Sequence, residues 1–214
     1  MNDRELIQKL SAKLDALEKR LQEIEDVEAI KKLQRAYGYY LDKRLWEEFT
    51  DCFAENGSLE LAQRGVYKGK KRIRQLMTLM PEDADGLKYG VVANHMNLQG
   101  IVNIDPGGQT AKGRWRAFLQ VGILGERAHW GEGVYENTYV KECGVWKLNV
   151  VHWYTTFITP YDQGWDKEYE KEFPRVSEEL PPDEPPSEVY EDFPDIYIPA
   201  FHYPHPVTGK PFKK

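Results

Sequence analysis

Three residues of this 214-residue chain have types suited to acid–base chemistry: Tyr37, Asp42 and His95. A histidine takes or gives a proton near neutral pH, and a carboxylate bonded to its imidazole fixes the tautomer and stabilises the charged form. A tyrosine hydroxyl can polarise a carbonyl or hold a developing oxyanion. Between apolar walls, these groups suffice for elimination, isomerisation or carbon–carbon cleavage next to an acidic proton. The hypothesis requires that His95 reaches Asp42.

Each of the three residues also has a structural interpretation. Asp42 could cap the helix "KRLWEEF", because aspartate is a favoured N-cap. Tyr37 lies on an apolar helical face, which is typical of a core residue. Strand alternation places Ala93, His95 and Asn97 on one face. Polar side chains on a buried face need partners, so a pocket there is favoured over a plain core.

Further candidates for substrate binding come from the same alternation and from the aromatic residues. They are Trp46, Asn97, Arg116, Phe118, His129, Tyr135, His152 and Tyr154. An inward Arg116 would bind a phenolate or carboxylate, whereas an outward Arg116, which we favour, would be a solvated charge. The histidines are scattered without metal-ligand spacing, so we expect no metal site, and His202 and His205 suggest structural or solvent-facing roles.

Helices precede strands along the chain. Apolar residues at a 4-3-4-3 spacing form a heptad seam in the first segment, at Leu10, Leu14, Leu17, Leu21 and Ile24. This predicts a helical arm over residues 1–26, which packs on a partner subunit or on its own domain; the alternative is a solvated arm. Asp26 is predicted to begin a second helix, followed by a short helix over "DKRLWEEFTDCF" and a turn at "ENGS".

The middle of the chain predicts a sheet. "SLELAQRGVYKG" indicates a strand hairpin, and "GKKRIRQLMTLM" a short helix with Ile73, Leu76, Met77 and Met80 inward, followed by a loop at "PEDADG". Four long strand patterns come next, joined by "DPGGQ", "GER" and "CG", with Gly131 and Gly133 suggesting a bend or bulge. We predict an α+β domain over residues 27–161. In it, N-terminal helices cover a curved antiparallel sheet that forms an open cone.

The composition changes after Tyr161. Residues 162–214 are rich in proline and acid, which predicts an extended tail with little regular structure. Its apolar run "IYIPAFHY" indicates docking on the domain or on a neighbour, and the alternative is a floppy tail.

Bulk properties limit the functional classes. The net charge is -6 with both signs interspersed, which argues against a dedicated nucleic-acid binder. No apolar run approaches the roughly 20 residues that span a bilayer, and the N-terminus has no apolar signal region. The two cysteines, Cys52 and Cys143, match no disulfide framework. We therefore expect a cytoplasmic protein without a membrane partner.

The order of "YGYYLDKRLWEEFTDCFAENGSLEL", "NHMNL" and "YENTYVKECGVWKLNVVHWY" resembles the SnoaL-like family of the nuclear transport factor two-like superfamily. The resemblance covers about residues 28–160, and its nearest chemical likeness is to scytalone dehydratase and bile acid 7α-dehydratase. Those enzymes use no metal or organic cofactor. The resemblance implies that the helix-borne aspartate and the strand-borne histidine of both enzymes correspond to Asp42 and His95. It also implies that Tyr37 corresponds to the tyrosine that lies five residues before the aspartate in the bile acid enzyme.

The chain departs from the scytalone enzymes at several positions. Their tyrosine directly before the aspartate is Leu41 here, and their second histidine has no clear counterpart. Their serine and asparagine align roughly with Gly133 and Tyr135. The substrate-orienting groups therefore differ, and the family's substrates do not carry over.

The resemblance implies a cofactor-independent lyase or isomerase acting on a hydrophobic aromatic or polycyclic small molecule. Dehydration is the nearest precedent. A retro-aldol cleavage that releases formaldehyde from a lignin-derived diaryl compound and a steroid-like isomerisation are the other candidates. The alternative is a non-catalytic small-molecule-binding or assembly module of the same fold. In either case we expect a homodimer or homotrimer, because domains of this fold commonly pair through the outer sheet face.

Overall fold

The computed structural model describes residues 2–78, 86–170, 178–191 and 193–212. Its helices are α1 (Asp3–Lys43), α2 (Trp46–Asp51) and α3 (Lys70–Thr78). Its strands are β1 (Phe53–Leu61), β2 (Val66–Lys68), β3 (Val91–Ile104), β4 (Thr110–Ile123), β5 (Arg127–Glu142) and β6 (Val145–Pro160). Met80 and most of the predicted "PEDADG" loop lie outside the described residues.

Helix α1 is continuous, so the prediction that Asp26 begins a second helix is wrong. Asp26 is buried within the helix, where its Oδ1 accepts hydrogen bonds from Trp146 Nε1 at 2.8 Å and pairs with Lys141 Nζ at 2.6 Å. These tertiary partners satisfy the carboxylate, which therefore does not cap a backbone. The helix begins instead at a capping box formed by Asn2 and Glu5.

The six strands form one curved, unclosed sheet in the order β2-β1-β6-β5-β4-β3. Strands β3 to β6 form an antiparallel meander whose bounds agree with the four predicted strands to within two residues. The predicted hairpin is present as the antiparallel pair β1 and β2, while β1 and β6 are parallel. The predicted α+β class and curved sheet are confirmed.

Two irregularities shape the sheet. The segment "ENGS" lies inside β1, so the predicted turn is wrong, and the pairing of β1 with β6 shifts register between Phe53 and Ser58. The predicted irregularity in β5 is present as a register shift between Glu132 and Gly133. A Cβ on Gly133 would lie 2.4 Å from the Trp153 ring, so only glycine permits this close approach.

The core lies between the helices and the inner sheet face, which is the face that the helices cover. Alternation along β4 is clear, because Ala111, Trp115, Ala117 and Leu119 are buried there while Arg116 is exposed. Inner-face aromatic residues pack against α1 and α2. No described helix is both long enough and apolar enough to cross a membrane.

The described residues of the C-terminal tail dock on the outer sheet face and on the β1–β2 edge. Tyr67 donates a hydrogen bond to the Leu180 carbonyl at 3.1 Å. Farther along, the Arg114 guanidinium lies 4.1 Å from the centre of the Phe201 ring. The imidazole of His202, which is largely buried, contacts Glu136 at 2.9 Å. The described tail residues form no helix or strand.

Candidate active site

Asp42 and His95 form a hydrogen-bonded pair between the last turn of α1 and β3. Oδ1 of Asp42 accepts a hydrogen bond from the His95 backbone N–H at 2.7 Å and lies 2.8 Å from His95 Nδ1. Their side chains are 14% and 21% exposed, so both lie mostly out of water. Asp42 does not cap α2, because the N-cap residue of α2 is Leu45, which makes no capping side-chain bond. The structural interpretation of Asp42 as a cap is therefore wrong.

The pair fixes the orientation and tautomer of the imidazole. A carboxylate oxygen only accepts hydrogen bonds, so Nδ1 of His95 must carry the proton in this contact. In the neutral ring, Nε2 is then the nitrogen with a lone pair that can accept a proton. Because the backbone N–H of His95 bonds to the same oxygen, α1 holds both the strand and the ring.

His95 lies where two cavities meet. The inner cavity, about 190 Å³, lies inside the cone and is lined mainly by aromatic and aliphatic side chains. The mouth cavity, about 250 Å³, lies beside the ends of β3 and β5. Leu41, His95 and Val121 line both cavities. The imidazole can therefore contact a molecule that occupies either one.

Tyr37 lines the inner cavity within an aromatic cluster. Its ring centre lies 5.0 Å from that of Phe49 and 6.2 Å from that of Tyr135, whose ring stands at a right angle to it. Burial first, and the neighbouring Tyr135 hydroxyl second, raise the pKa of Tyr37 well above its usual value. Tyr37 is therefore a neutral hydroxyl that can donate a hydrogen bond.

The mouth cavity is more polar than the inner one. Trp46 and His129, both predicted to bind substrate, line it together with Arg44 and Arg127. His129 Nε2 lies 3.1 Å from Glu170 Oε1. A larger groove of about 630 Å³ shares His129 and Arg127 with the mouth and continues past Trp130 and Tyr161. Tyr135, also predicted, lines the inner cavity.

Asn97 belongs to a buried polar network behind the pair. Its Nδ2 donates to the His95 carbonyl at 2.8 Å, and its Oδ1 accepts from Gln34 Nε2 at 2.9 Å. Gln34 Oε1 in turn accepts from Tyr139 OH at 2.8 Å and from Asn137 Nδ2 at 3.0 Å. Asn97 lines neither the inner cavity nor the mouth cavity. Its hydrogen bonds link the His95 carbonyl to Gln34, and these are the contacts of a residue that positions His95.

Replacing Gln34 with leucine is expected to destabilise the fold. Gln34 is fully buried, and the change leaves polar groups of Asn97, Asn137 and Tyr139 without this partner. Because an unsatisfied buried polar group costs about 1–3 kcal/mol, we expect the free energy of unfolding to fall by about 2–4 kcal/mol. Chemical denaturation measures this, with the exposed Gln8→Leu on the same helix as the control. Equal midpoints for the two variants would contradict the network's role.

The structure does not bring Arg116 and Phe118 into the cone. Alternation along β4 puts both on the outer face, opposite Ala117 and Leu119. Arg116 is exposed and lies 3.4 Å from Glu132, as the outward interpretation expects. Phe118 packs against the Trp130 ring at 5.3 Å. The prediction that Arg116 and Phe118 line the pocket is therefore wrong.

His152 and Tyr154 are also absent from the cone. They lie on the outer face of β6, where their rings stack at 3.8 Å beneath the tail residue Tyr190. His152 Nε2 lies 3.5 Å from Glu60 Oε1, and Ser187 of the tail donates two hydrogen bonds to the Glu60 carboxyl group. The tail, rather than a substrate, buries these residues, and this corrects their predicted role.

Burial lowers the pKa of His152 to about 4, from an ordinary value of 6.5. Between those values the unfolded chain binds a proton that the folded chain does not, so His152 destabilises the fold as the pH falls from about 6.5 to about 4. Burial raises the pKa of Glu60, which acts with the opposite sign.

We therefore expect His152→Phe, which keeps a stacked ring, to lessen the loss of stability on acidification. Melting temperatures at pH 7 and pH 5 measure this effect. Glu60 is common to both proteins, so their difference isolates His152. If the melting temperatures of the wild-type and variant proteins fell in parallel, His152 would not be buried in its neutral form.

Sequence reasoning missed several residues around the site. Arg64 lines the inner cavity, and Arg44 and Arg127 line the mouth. Arg44 follows α1 directly with φ 55°, a left-handed conformation that ends the helix at Lys43, one residue after Asp42. The available signal for this helix end was the pair of basic residues Lys43 and Arg44, because basic side chains are favoured at a helix C-terminus. Gln34 gave no signal, because its partners come from distant strands.

Comparison with known proteins identifies the family. The family model for the SnoaL-like domain matches residues 22–152, which is more than half of the chain. The chain belongs to the SnoaL-like domain family. The match includes the part of α1 that carries Tyr37 and Asp42, and all of β3, which carries His95.

Solved structures share the fold. A protein provisionally named a scytalone dehydratase, from Novosphingobium aromaticivorans DSM 12444, has 22% identity and a TM-score of 0.57, over 65% of this chain and 90% of that one. The hexachlorocyclohexane dehydrochlorinase LinA-type3 from Novosphingobium barchaimii LL02 has 17% identity and a TM-score of 0.57, over 66% and 93%. An NTF2-like protein with a cystatin-like fold, from Novosphingobium aromaticivorans, has 22% identity and a TM-score of 0.53, over 66% and 89%. At these identities the similarity establishes the fold alone.

Proposed function

We propose that this SnoaL-like chain is a cofactor-independent acid–base enzyme, a lyase or isomerase, that acts on a hydrophobic aromatic small molecule. The observation that carries the proposal is the 2.8 Å contact between Asp42 Oδ1 and His95 Nδ1 where two cavities meet. A binding or assembly module of the same fold has no need of such a pair. The contact therefore favours catalysis over the alternative function.

In the proposed reaction, His95 Nε2 accepts the proton of an acidic carbon, and the electron pair left behind forms a double bond or an enolate. The Asp42 carboxylate balances the positive charge of the imidazolium. Tyr37, which stays neutral, donates a hydrogen bond to the oxygen on which negative charge develops. The imidazolium then returns its proton, either to a leaving hydroxyl, which departs as water, or to a second carbon, which completes an isomerisation.

The same groups serve a retro-aldol cleavage. There His95 takes the proton of a hydroxymethyl group, the carbon–carbon bond breaks, formaldehyde leaves, and the resulting carbanion takes the proton back. Two structural neighbours are named a dehydratase and a dehydrochlorinase, and both names denote eliminations. We therefore place elimination first among the three reactions, while the proposal itself depends on the site.

Cavity sizes narrow the substrate class. A cavity of about 150 Å³ binds one benzene ring, so the inner cavity of about 190 Å³ suits a single ring. It is smaller than the roughly 300–1,000 Å³ of ordinary ligand pockets, and the mouth and groove must hold the remainder of a larger molecule. We therefore propose a substrate with one ring beside a linked bulky group, rather than a fused polycycle.

Deuterium exchange tests the proposal without knowledge of the exact substrate. The protein is incubated in heavy water with one- and two-ring aromatic ketones and β-hydroxy ketones, and proton NMR follows the acidic carbon. We expect protein-dependent exchange in at least one class, accompanied by loss of water where a hydroxyl is suitably placed. Compounds that bind the cavities, as ligand-observed NMR detects, yet never exchange above the protein-free blank would instead indicate a binding module.

A further inference from the structure

The start of α1 projects from the domain and carries an apolar seam. Its members recur at alternating steps of three and four residues, and each is more than half exposed: Ile7, Leu10, Leu14, Leu17, Leu21 and Ile24. Every residue from Asn2 to Glu25 is exposed, and the first buried residue of the helix is Asp26. Single exposed apolar residues are ordinary, but a continuous stripe of them marks an interaction surface.

The spacing of the seam specifies a helical partner. The apolar residues recur every 3.5 residues on average, whereas an isolated α-helix has 3.6 residues per turn. The seam therefore keeps facing one partner helix only when the two helices supercoil around each other. The seam spans three heptads, with Ile7, Leu14 and Leu21 at the first core position and Leu10, Leu17 and Ile24 at the second. The partner that fits this seam is a second helix with the same heptad repeat.

Charges beside the seam identify that helix. Lys13 and Arg20 precede the first core position of a heptad, while Glu18 and Glu25 follow the second. In a parallel pair of identical helices, Lys13 faces Glu18 of the other copy and Arg20 faces its Glu25. An antiparallel pair sets Lys13 and Arg20 against each other and Glu18 against Glu25. We propose that the arm pairs in parallel with the arm of a second copy of this chain.

The geometry of α1 allows this pairing. Residues of α1 that pack on the domain, such as Ile30, Gln34 and Tyr37, lie on the side of the helix opposite the seam. Both domains therefore lie outside the pair of helices, where they do not collide. The next two core positions are Glu28 and Lys31, so the apolar seam ends where the domain begins.

The mass of the full chain in solution tests the pairing. Light scattering at tens of micromolar should give twice the 25.0 kDa chain mass for the wild-type protein and the single-chain mass for Leu14→Glu/Leu21→Glu. The matched control, Ala12→Glu/Ala16→Glu, adds the same charge away from the seam and should keep the double mass. An unchanged melting transition of the domain shows that each variant is folded. A single-chain mass for the wild-type protein, or a double mass for the seam variant, would overturn the proposal.

Disulfide trapping tests the orientation. In a Cys143→Ser background, which removes the exposed native thiol, Leu10→Cys places two thiols opposite each other only in a parallel pair. Mild oxidation should then give a covalent dimer on a non-reducing gel, whereas Ala12→Cys, on the outer side of the helix, should stay largely monomeric. Equal trapping at both positions, or none at Leu10→Cys, would exclude the parallel arrangement.

Discussion

Replacing His95 with alanine is expected to lower turnover by about a hundred- to ten-thousand-fold, the usual contribution of a general acid–base group. Nε2 of His95 is the proposed proton acceptor, and the contact of Nδ1 with Asp42 leaves Nε2 to the cavities. The rate of deuterium incorporation into a compound that the wild-type protein turns over measures the loss. The fold should remain, because the His95 backbone N–H that bonds to Asp42 is unchanged.

The matched control is His205→Ala, which removes an exposed histidine from the tail. It should leave the exchange rate within about twofold, because surface substitutions rarely perturb the fold. A rate for His95→Ala that also stayed within a few-fold of the wild-type rate would mean that another group takes the proton, and the site assignment would be wrong.

Replacing Asp42 with asparagine should give the second-largest loss, again about a hundredfold or more. The amide oxygen of asparagine can still accept the two hydrogen bonds that Asp42 Oδ1 accepts from His95. The variant therefore keeps the geometry and removes only the negative charge that stabilises a protonated imidazole. We expect a folded protein that binds the same compounds and exchanges their protons slowly.

Asp51→Asn is the control for this change, because it removes an exposed carboxylate whose ion pair with Lys70 lies at the surface. Circular dichroism and ligand-observed NMR establish that both variants fold and bind. If Asp42→Asn exchanged protons as fast as Asp51→Asn, the carboxylate would have only a structural role.

Much of the fold was predictable because it follows from local patterns. Strands β3 to β6 combine long apolar alternation with glycine-rich turns, and both signals act over neighbouring residues. The predicted contact between Asp42 and His95 is present in the structure, while their catalytic roles stay predictions. Alternation along β3 showed that the face of His95 carries polar groups that need partners.

The absolute face of a strand was not predictable from alternation. The pattern on β6 separates His152 and Tyr154 from Trp153, but it does not state which set faces the helices. The usual criterion, burial, fails here because the tail buries the outer face as well. His152 and Tyr154 are therefore as buried as inner-face residues, although they lie on the outer face of the sheet.

Long-range polar contacts were also not predictable from the sequence. Gln34 meets Asn97, Asn137 and Tyr139, which belong to two different strands, β3 and β5. Asp26 looked like a helix start because two of its partners, Lys141 and Trp146, lie more than a hundred residues away. A short polar side chain has the same local sequence signature whether it caps a helix or satisfies a buried network.

The most direct test of the central claim is the nitrogen-15 NMR spectrum of the His95 side chain, assigned by comparison with His95→Ala. In the neutral imidazole we expect the proton on Nδ1, held by Asp42, and a non-protonated Nε2 whose resonance moves when an aromatic ligand enters the cavity. A proton on Nε2, or an Nε2 resonance that is unmoved by ligands that bind the cavity, would contradict the proposed acid–base site.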